Sequence, residues 1–175
     1  MTILIGVLIV LLGLVAFVVS RPGKFRFERT AIVAAPPGRV FALVNDFHHW
    51  TTWSPWDKLD PNLQRSYSGA SSGAGAGYAW VGNRKTGEGR MTIIECDAPA
   101  RIDIKLEFIK PFAATNTTIF SFTPVNEGTR VTWAMDGENK SFMTKAFSAF
   151  GNMDKFIGRD FEKGLAAMKA EAERR

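Results

Sequence analysis

The chain of 175 residues has few of the side chains on which several common kinds of site depend. It has one cysteine, Cys96, so an intramolecular disulfide is excluded, as is typical of a protein kept in a reducing compartment. Its two histidines, His48 and His49, are adjacent, and neighbouring residues of a helix do not converge on one ligand. We therefore expect no metal site and no cofactor.

Charge is absent from residues 2–20, and residues 3–19 are almost wholly Ile, Leu, Val, Ala, Phe and Gly. As a helix this stretch would be about 28 Å long, close to the roughly 30 Å apolar core of a bilayer. The stretch predicts one transmembrane anchor over residues 1–20. A cleaved signal peptide is the alternative, but no Lys or Arg precedes the apolar run, which is also longer than a signal peptide needs.

Positive charge follows the apolar stretch directly, at Arg21, Lys24, Arg26 and Arg29. Since Lys and Arg beside a span stay on the cytoplasmic side, we expect the N-terminus outside and the domain facing the cytosol, most simply at a bacterial inner membrane. Residues 21–29 hold net +3 of the total +5, so they read as a basic juxtamembrane arm. The remainder is close to neutral and lacks a basic run, which argues against nucleic-acid binding.

The remaining 150 or so residues suffice for one domain, and their hydrophobic spacing predicts both helices and strands. Ile102, Ile104, Leu106 and Phe108 alternate with charged residues, which indicates a strand with one buried face. The same reasoning predicts an α+β fold. Its order is a strand over 25–35, a short helix over 39–44, an aromatic segment over 47–58, about six antiparallel strands between 63 and 135, and a long helix from Phe142.

Several short motifs in this order resemble one known superfamily. They are Ala35-Pro36-Pro37-Gly38-Arg39-Val40-Phe41, Asn45-Asp46-Phe47, Trp53-Ser54-Pro55-Trp56, Gly87-Glu88-Gly89-Arg90-Met91, Gly128-Thr129-Arg130-Val131-Thr132-Trp133 and Asp160-Phe161-Glu162-Lys163-Gly164-Leu165. Together they are similar to the START/polyketide cyclase-like superfamily, also called helix-grip or SRPBCC, in its polyketide cyclase/dehydrase-like branch. The matching domain is expected over residues 25–172.

The resemblance implies a curved antiparallel sheet of six to seven strands wrapped around a long C-terminal helix, with an apolar cavity between them. Such cavities hold a lipid, sterol, polyketide or other hydrophobic molecule. Aromatic side chains of this size also fill cores, so both roles stay open. The candidate cavity residues are Trp53, Trp56, Tyr78, Trp80, Phe108, Phe120, Trp133, Met135, Phe147 and Phe150.

Catalytic machinery is not visible in the sequence, since no acid–base pair has the spacing that proton transfer would need. The glycine stretch over 73–77 lacks the ending of a phosphate-binding loop and leads into a strand. The leading hypothesis is therefore a membrane-anchored domain that binds a hydrophobic small molecule or lipid without transforming it. A cyclase or dehydratase using Tyr78 or Asp136, and a protein-interaction module resembling chaperone ATPase activators, are the alternatives.

Overall fold

The computed structural model describes residues 2–20, 22–139, 142, 145–146 and 153–174. Helix α1 (Thr2–Ser20) comes first and is followed by strand β1 (Lys24–Val33). Helix α2 (Pro37–Asn45), a 3-10 turn (Phe47–His49) and the short helix α3 (Trp50–Trp53) come next. The remaining strands are β2 (Gln64–Gly69), β3 (Ala76–Val81), β4 (Glu88–Asp97), β5 (Arg101–Lys110), β6 (Ala114–Val125) and β7 (Gly128–Glu138), and helix α4 (Met153–Ala172) closes the fold.

The predicted N-terminal helix is confirmed as a helix, whereas the predicted membrane span gains no support. Taken over the residues whose placement is fully described, no helix is long and apolar enough to cross a membrane. Most of the predicted basic arm belongs to β1, where Arg26 and Arg29 pair with carboxylates. The backbone N–H of Asn139, after β7, donates to the carbonyl of Gly23, which fixes the start of β1 beside the end of β7.

All seven strands form one antiparallel sheet in the order β1-β7-β6-β5-β4-β3-β2. Consecutive strands are neighbours from β2 to β7, and β1 closes the order by pairing with β7 from Lys24↔Glu138 to Val33↔Thr129. The predicted α+β class and the predicted number of strands are thus confirmed. In β4 the register shifts between Ile93 and Glu95, which leaves Ile94 53% exposed.

The sheet has an inner face, which packs against the helices, and an outer face of charged and hydroxyl side chains. Alternation along β5 places Ile102 and Ile104 on the inner face, both fully buried, as the sequence predicts. On the outer face, Glu107 pairs with Arg90 across the strands. The hydrophobic core therefore lies between the inner face and helices α2, α3 and α4.

Helix α2 is confirmed as a helix but begins two residues before the predicted start at 39, because Pro36 is extended and Pro37 has the fixed backbone angle of a first helical residue. Val40, Phe41 and Val44 lie on its buried side. Helix α4 buries a stripe with three- and four-residue spacing that faces the core: Gly158, Phe161, Gly164, Leu165, Met168 and Ala172. The first part of the predicted long helix, residues 142–152, falls mostly outside the described residues.

Arg29 joins β1 to α4 and so fixes the helix along the edge of the sheet. Its guanidinium donates to Asp154 at 3.0 Å and to Glu162 at 2.9 Å, on either side of Gly158. Lys169, further along α4, donates to the carbonyl of Ile32 near the end of β1. Helix α4 therefore follows β1 from its middle to its end, and its first turn lies toward the end of the sheet at which α1 joins.

Candidate functional site

An aromatic cluster fills the space between α4 and the β6–β7 part of the inner face. Trp133 stacks on Phe161 with ring centroids 4.2 Å apart and on Phe120 at 4.9 Å. Trp53 meets Trp133 edge to face at 5.6 Å, and its indole N–H donates to the carbonyl of Leu43. All four residues are at most 2% exposed. In this part of the fold the aromatic side chains act as core.

A second aromatic row crosses β3 and β5 and becomes more accessible toward one end of the sheet. Tyr78 stacks on Trp80 at 5.9 Å, and Trp80 meets Phe108 edge to face at 6.1 Å. Exposure rises from 7% at Tyr78 to 36% at Phe108. Trp80 lies flat over Gly89 of β4, where a Cβ atom would lie 2.5 Å from its Cη2. This row is an apolar surface of the inner face that the described helices leave partly open.

Polar groups surround the buried end of this row. The hydroxyl of Tyr78 donates to Asp57 at 3.2 Å, and Arg65 donates to the same carboxylate oxygen at 3.1 Å. Burial raises the pKa of Tyr78 well above its ordinary value, and the negative charge of Asp57 adds to the effect. Tyr78 is therefore a neutral hydrogen-bond donor near pH 7, and its hydroxyl is already engaged by Asp57.

The proximal end of the sheet, as we call it, is the end at which α1 joins β1. It comprises Lys24, the turn 82–87 between β3 and β4, the turn 111–113 between β5 and β6, and Glu138. The register pairs Lys24 with Glu138, Thr117 with Asp136, Phe108 with Ala114 and Val81 with Glu88, which brings these segments to one end.

The Asn116 groove, with a volume of about 620 Å³, opens at this proximal end. Asn116 is 8% exposed, and its amide N–H reaches the sulfur of Met135 at 3.8 Å, a weak partner for a buried amide. Beside it lies the half-buried ring of Phe25, stacked on Phe27 at 4.9 Å. The groove is lined by Lys24, Phe25, Arg26, Thr115, Asn116, Thr117, Asp136, Gly137 and Glu138.

The charged groups of the Asn116 groove neutralise one another. Arg26 donates two hydrogen bonds to the carboxylate of Asp136, at 2.7 and 3.0 Å, and a third group, Glu28, accepts from the same guanidinium. The hydrogen bond to Glu28 raises the pKa of Arg26 most, burial opposes it, and the hydrogen bond and charge of Asp136 raise the pKa further. Asp136 is thus held as an ion-pair partner. Its pair with Arg26 lies on the outer face of the sheet, whereas Phe25 and Asn116 lie on the inner face.

A smaller cleft of about 270 Å³ lies between residues 53–59 and helix α4. Trp56 and Leu59 contribute its apolar part, and Lys58, Asp160 and Lys163 its charged part. Trp56 also meets Trp133 at 5.5 Å, which holds it partly inside the core. Trp53 is fully buried and Trp56 is partly buried, so these two tryptophans do not form the exposed apolar face that a protein-docking module would need.

The predicted cavity residues fall into separate groups in the structure. Trp53, Phe120 and Trp133 interlock beneath α4, with Trp56 at their margin, while Tyr78, Trp80 and Phe108 form the open row. Met135 is buried beside Asn116. Phe147 and Phe150 lie outside the described residues.

Asn116 and Phe25 are the groove residues that the sequence reasoning missed. Both follow from strand parity: Asn116 shares a face with Thr118 and Phe120 in β6, and Phe25 shares one with Phe27 in β1. The two histidines diverge as expected, His48 toward Asp46 and His49 toward a backbone carbonyl. Within the described residues, no three His, Cys, Asp or Glu side chains are grouped as metal ligands.

Comparison with known proteins agrees with this architecture. The class that the fold and site define is a helix-grip domain, an antiparallel sheet packed on a C-terminal helix with an apolar inner face. Residues 24–173 match the family described as polyketide cyclase / dehydrase and lipid transport. The chain belongs to that family. No curated protein sequence matches the chain.

Solved structures share the fold at low sequence identity. A protein of Rhizobium leguminosarum superposes with a TM-score of 0.64 at 13% identity, covering 89% of this chain and 98% of that one. Protein CV1439 of Chromobacterium violaceum gives 0.60 at 16% identity, covering 88% and 100%. DynU16, a protein of the dynemicin biosynthetic locus, gives 0.59 at 13% identity, covering 85% of this chain and 47% of its own.

Proposed function

We propose that the protein binds a hydrophobic or amphiphilic small molecule, such as a lipid, through the Asn116 groove and the adjoining open row of the inner face, without transforming it. One observation carries the proposal: a groove of about 620 Å³ places a buried, weakly bonded amide beside an apolar ring. Ligand pockets of roughly 300–1,000 Å³ combine apolar walls with a few polar groups in this manner. The family description, which includes lipid transport, supports the same class of ligand.

The chemistry of the groove restricts the ligand further. Because Arg26 is paired with Asp136, the groove has no surplus charge of either sign from that pair. The amide of Asn116 both donates and accepts, so it suits a hydroxyl, amide or ester at the polar end of an apolar molecule. The apolar part would lie along Phe25, Trp80 and Phe108.

Native mass spectrometry of the full chain, released from detergent micelles, tests the proposal directly. We expect an apolar molecule of defined mass to be retained, and extraction followed by lipid analysis then identifies its class. Asn116→Leu should lower the occupancy of a ligand with a polar end about threefold to tenfold, the worth of one hydrogen bond. Ser121→Ala, on the outer face of the same strand, is the matched control. A protein that retains no apolar molecule from any expression host contradicts the proposal.

A cyclase-type reaction is the second candidate, supported by the family description and by the tyrosine hydroxyl held on Asp57 at the end of the apolar row. Positioning of a reactive chain along this row would lower the barrier. Turnover of a polyketide substrate should then fall on Tyr78→Phe or Asp136→Asn, and unchanged rates in both variants remove those two residues from the reaction.

We further propose that α1 attaches the domain to a membrane, with the domain facing the cytosol. Support comes from its uncharged sequence and from apolar side chains that α1 leaves exposed, among them Ile9 at 63% and Leu12 at 60%. Membrane fractionation of the full chain should recover it with lipid, and alkaline carbonate should not release it. Release by carbonate contradicts anchoring through α1.

A further inference from the structure

Exposed phenylalanines gather at the proximal end of the sheet. Outside α1, the exposed phenylalanines among the described residues are Phe108 at 36%, Phe112 at 79%, Phe142 at 46% and Phe156 at 79%. Phe108 ends the apolar row, Phe112 is at the tip of the β5–β6 turn, Phe142 follows β7, and Phe156 lies in the first turn of α4. Exposed apolar side chains that gather in one place mark an interaction surface.

The two turns at this end complement each other chemically. The β5–β6 turn presents Phe112 beside Ile109, which is 45% exposed. The β3–β4 turn, residues 82–87, presents the exposed side chains of Arg84 and Lys85 and contains no carboxylate. An aromatic tip beside a basic turn matches the boundary between acyl chains and anionic headgroups.

The opposite end of the sheet lacks this combination. Its turns are residues 70–75, 98–100 and 126–127, and they contain no aromatic and no basic residue.

Helix α1 reaches the domain at this same end. The ammonium group of Lys145, in the segment after β7, donates to the carbonyl of Val19 in the last turn of α1. Asn139 donates to Gly23 at 2.8 Å, directly after α1. The C-terminal end of α1 therefore lies at the same end of the domain as the exposed phenylalanines.

We propose that the proximal end is a bilayer-contact surface, in which Phe112 inserts among the lipids and Arg84 and Lys85 contact anionic headgroups. The inference rests on the proposed attachment through α1. It adds that the domain lies against the membrane in one orientation, with the Asn116 groove and the open aromatic row turned toward the lipid. An amphiphile can then pass between bilayer and groove without crossing water.

The test uses the full chain in vesicles of equal parts phosphatidylcholine and phosphatidylglycerol. In a Cys96→Ser background, Phe112→Cys or Ser71→Cys receives an environment-sensitive fluorophore. Ser71 lies in the β2–β3 turn at the opposite end and serves as the matched control. We expect the probe at 112 to shift to shorter wavelength and to be quenched by spin-labelled lipid, while the probe at 71 behaves as in water.

The charged turn has its own measurement. Arg84→Gln with Lys85→Gln should lower the ratio of inserted to free probe at 112 about thirtyfold on the anionic vesicles. On pure phosphatidylcholine vesicles the same double variant should behave like its parent.

Each remaining outcome overturns the inference in a distinguishable way. Protein that floats with vesicles while both probes stay aqueous leaves attachment through α1 intact and overturns the contact surface. Protein that does not float overturns both. If the labelled protein shows no lipid quenching and the unlabelled Phe112→Cys variant forms a disulfide-linked dimer, the surface belongs to a second copy of the chain instead.

Discussion

The indole of Trp133 lies parallel to the ring of Phe161, with planes 5° apart and centroids separated by 4.2 Å. This stack joins the centre of the sheet to the centre of α4. The close approach of helix and sheet depends on a small residue beside the stack. Gly164, one turn after Phe161, faces the same indole.

Gly164→Ala should destabilise the fold by about 1–3 kcal/mol through overpacking. A Cβ atom at this position would lie 2.6 Å from Cζ3 of Trp133 and 3.2 Å from Pro55, so the helix or the indole must move. Urea unfolding measures the change. Gly38→Ala in α2 is the control, because nothing lies within 4 Å of the added atom. Equal stabilities of the two variants would show that Trp133 accommodates the methyl group.

Arg29→Met should release the start of α4 from β1. The Arg29 side chain is 25% exposed, and its guanidinium donates to Asp154 and Glu162. These hydrogen bonds raise the pKa of Arg29, and the hydrogen bond from Arg29 lowers the pKa of Asp154. We expect a loss of about 1–3 kcal/mol, typical of charge-assisted hydrogen bonds, and faster amide exchange in the first turns of α4.

Arg26→Met is the comparison for that variant. Its side chain is 49% exposed, so its pairs with Glu28 and Asp136 should contribute at most about 1 kcal/mol. If Arg26→Met costs as much as Arg29→Met, the bridge to α4 is not the stronger of the two.

The pairing of Glu107 predicts a pH dependence of stability. Hydrogen bonds from Arg90, and then from Lys105, lower the pKa of Glu107 from 4.5 to about 2. Because the folded pKa lies below the unfolded one, this contribution is fully present above pH about 4.5 and is lost as pH falls toward about 2. Glu107→Gln should flatten the fall in unfolding free energy over that window.

Glu127→Gln, in the exposed β6–β7 turn, is the control for the pH series. It should leave the slope between pH 4.5 and 2 as in the parent protein. If Glu107→Gln loses unfolding free energy with falling pH as steeply as the parent protein does, the loss of stability in acid is due to other carboxylates.

Gly89→Ala should impair both the ligand surface and the pairing of β4 with β5, because the added Cβ would also lie 2.6 Å from the carbonyl oxygen of Glu107. The added Cβ would displace Trp80, which lies over this position and donates its indole N–H to Thr86. We expect lower ligand occupancy in native mass spectrometry with cooperative unfolding retained. Thr92→Ala, on the outer face of the same strand, is the control. Unchanged occupancy would exclude Trp80 from the binding surface.

Local pattern was sufficient to predict most of the sheet. Ile102 and Ile104 alternate with charged residues, and a period of two decides which face is buried. The pattern likewise predicts helix α2, although the helix begins two residues earlier than predicted. The irregularity at Ile94 was not predicted, because a one-residue register shift leaves no distinct mark in hydrophobicity.

The site was predicted less well, because it depends on contacts between distant parts of the chain. Arg29 reads as one more basic residue after an apolar run, and its partners Asp154 and Glu162 lie more than a hundred residues later. Trp133 and Phe108 read alike in sequence, yet α4 covers the first and leaves the second exposed. The position of Asn116 could have been predicted from the alternation of β6 alone, by assigning this polar residue to the same inner face as its apolar neighbours.

The pairing of β1 with β7 has a consequence for synthesis. The first strand of the domain finds its partner at Gly128–Glu138, so it stays unpaired until nearly the whole chain has left the ribosome. Contacts of such long separation slow folding and leave an open strand edge exposed meanwhile. During that interval α1 has already left the ribosome, ahead of the domain behind it.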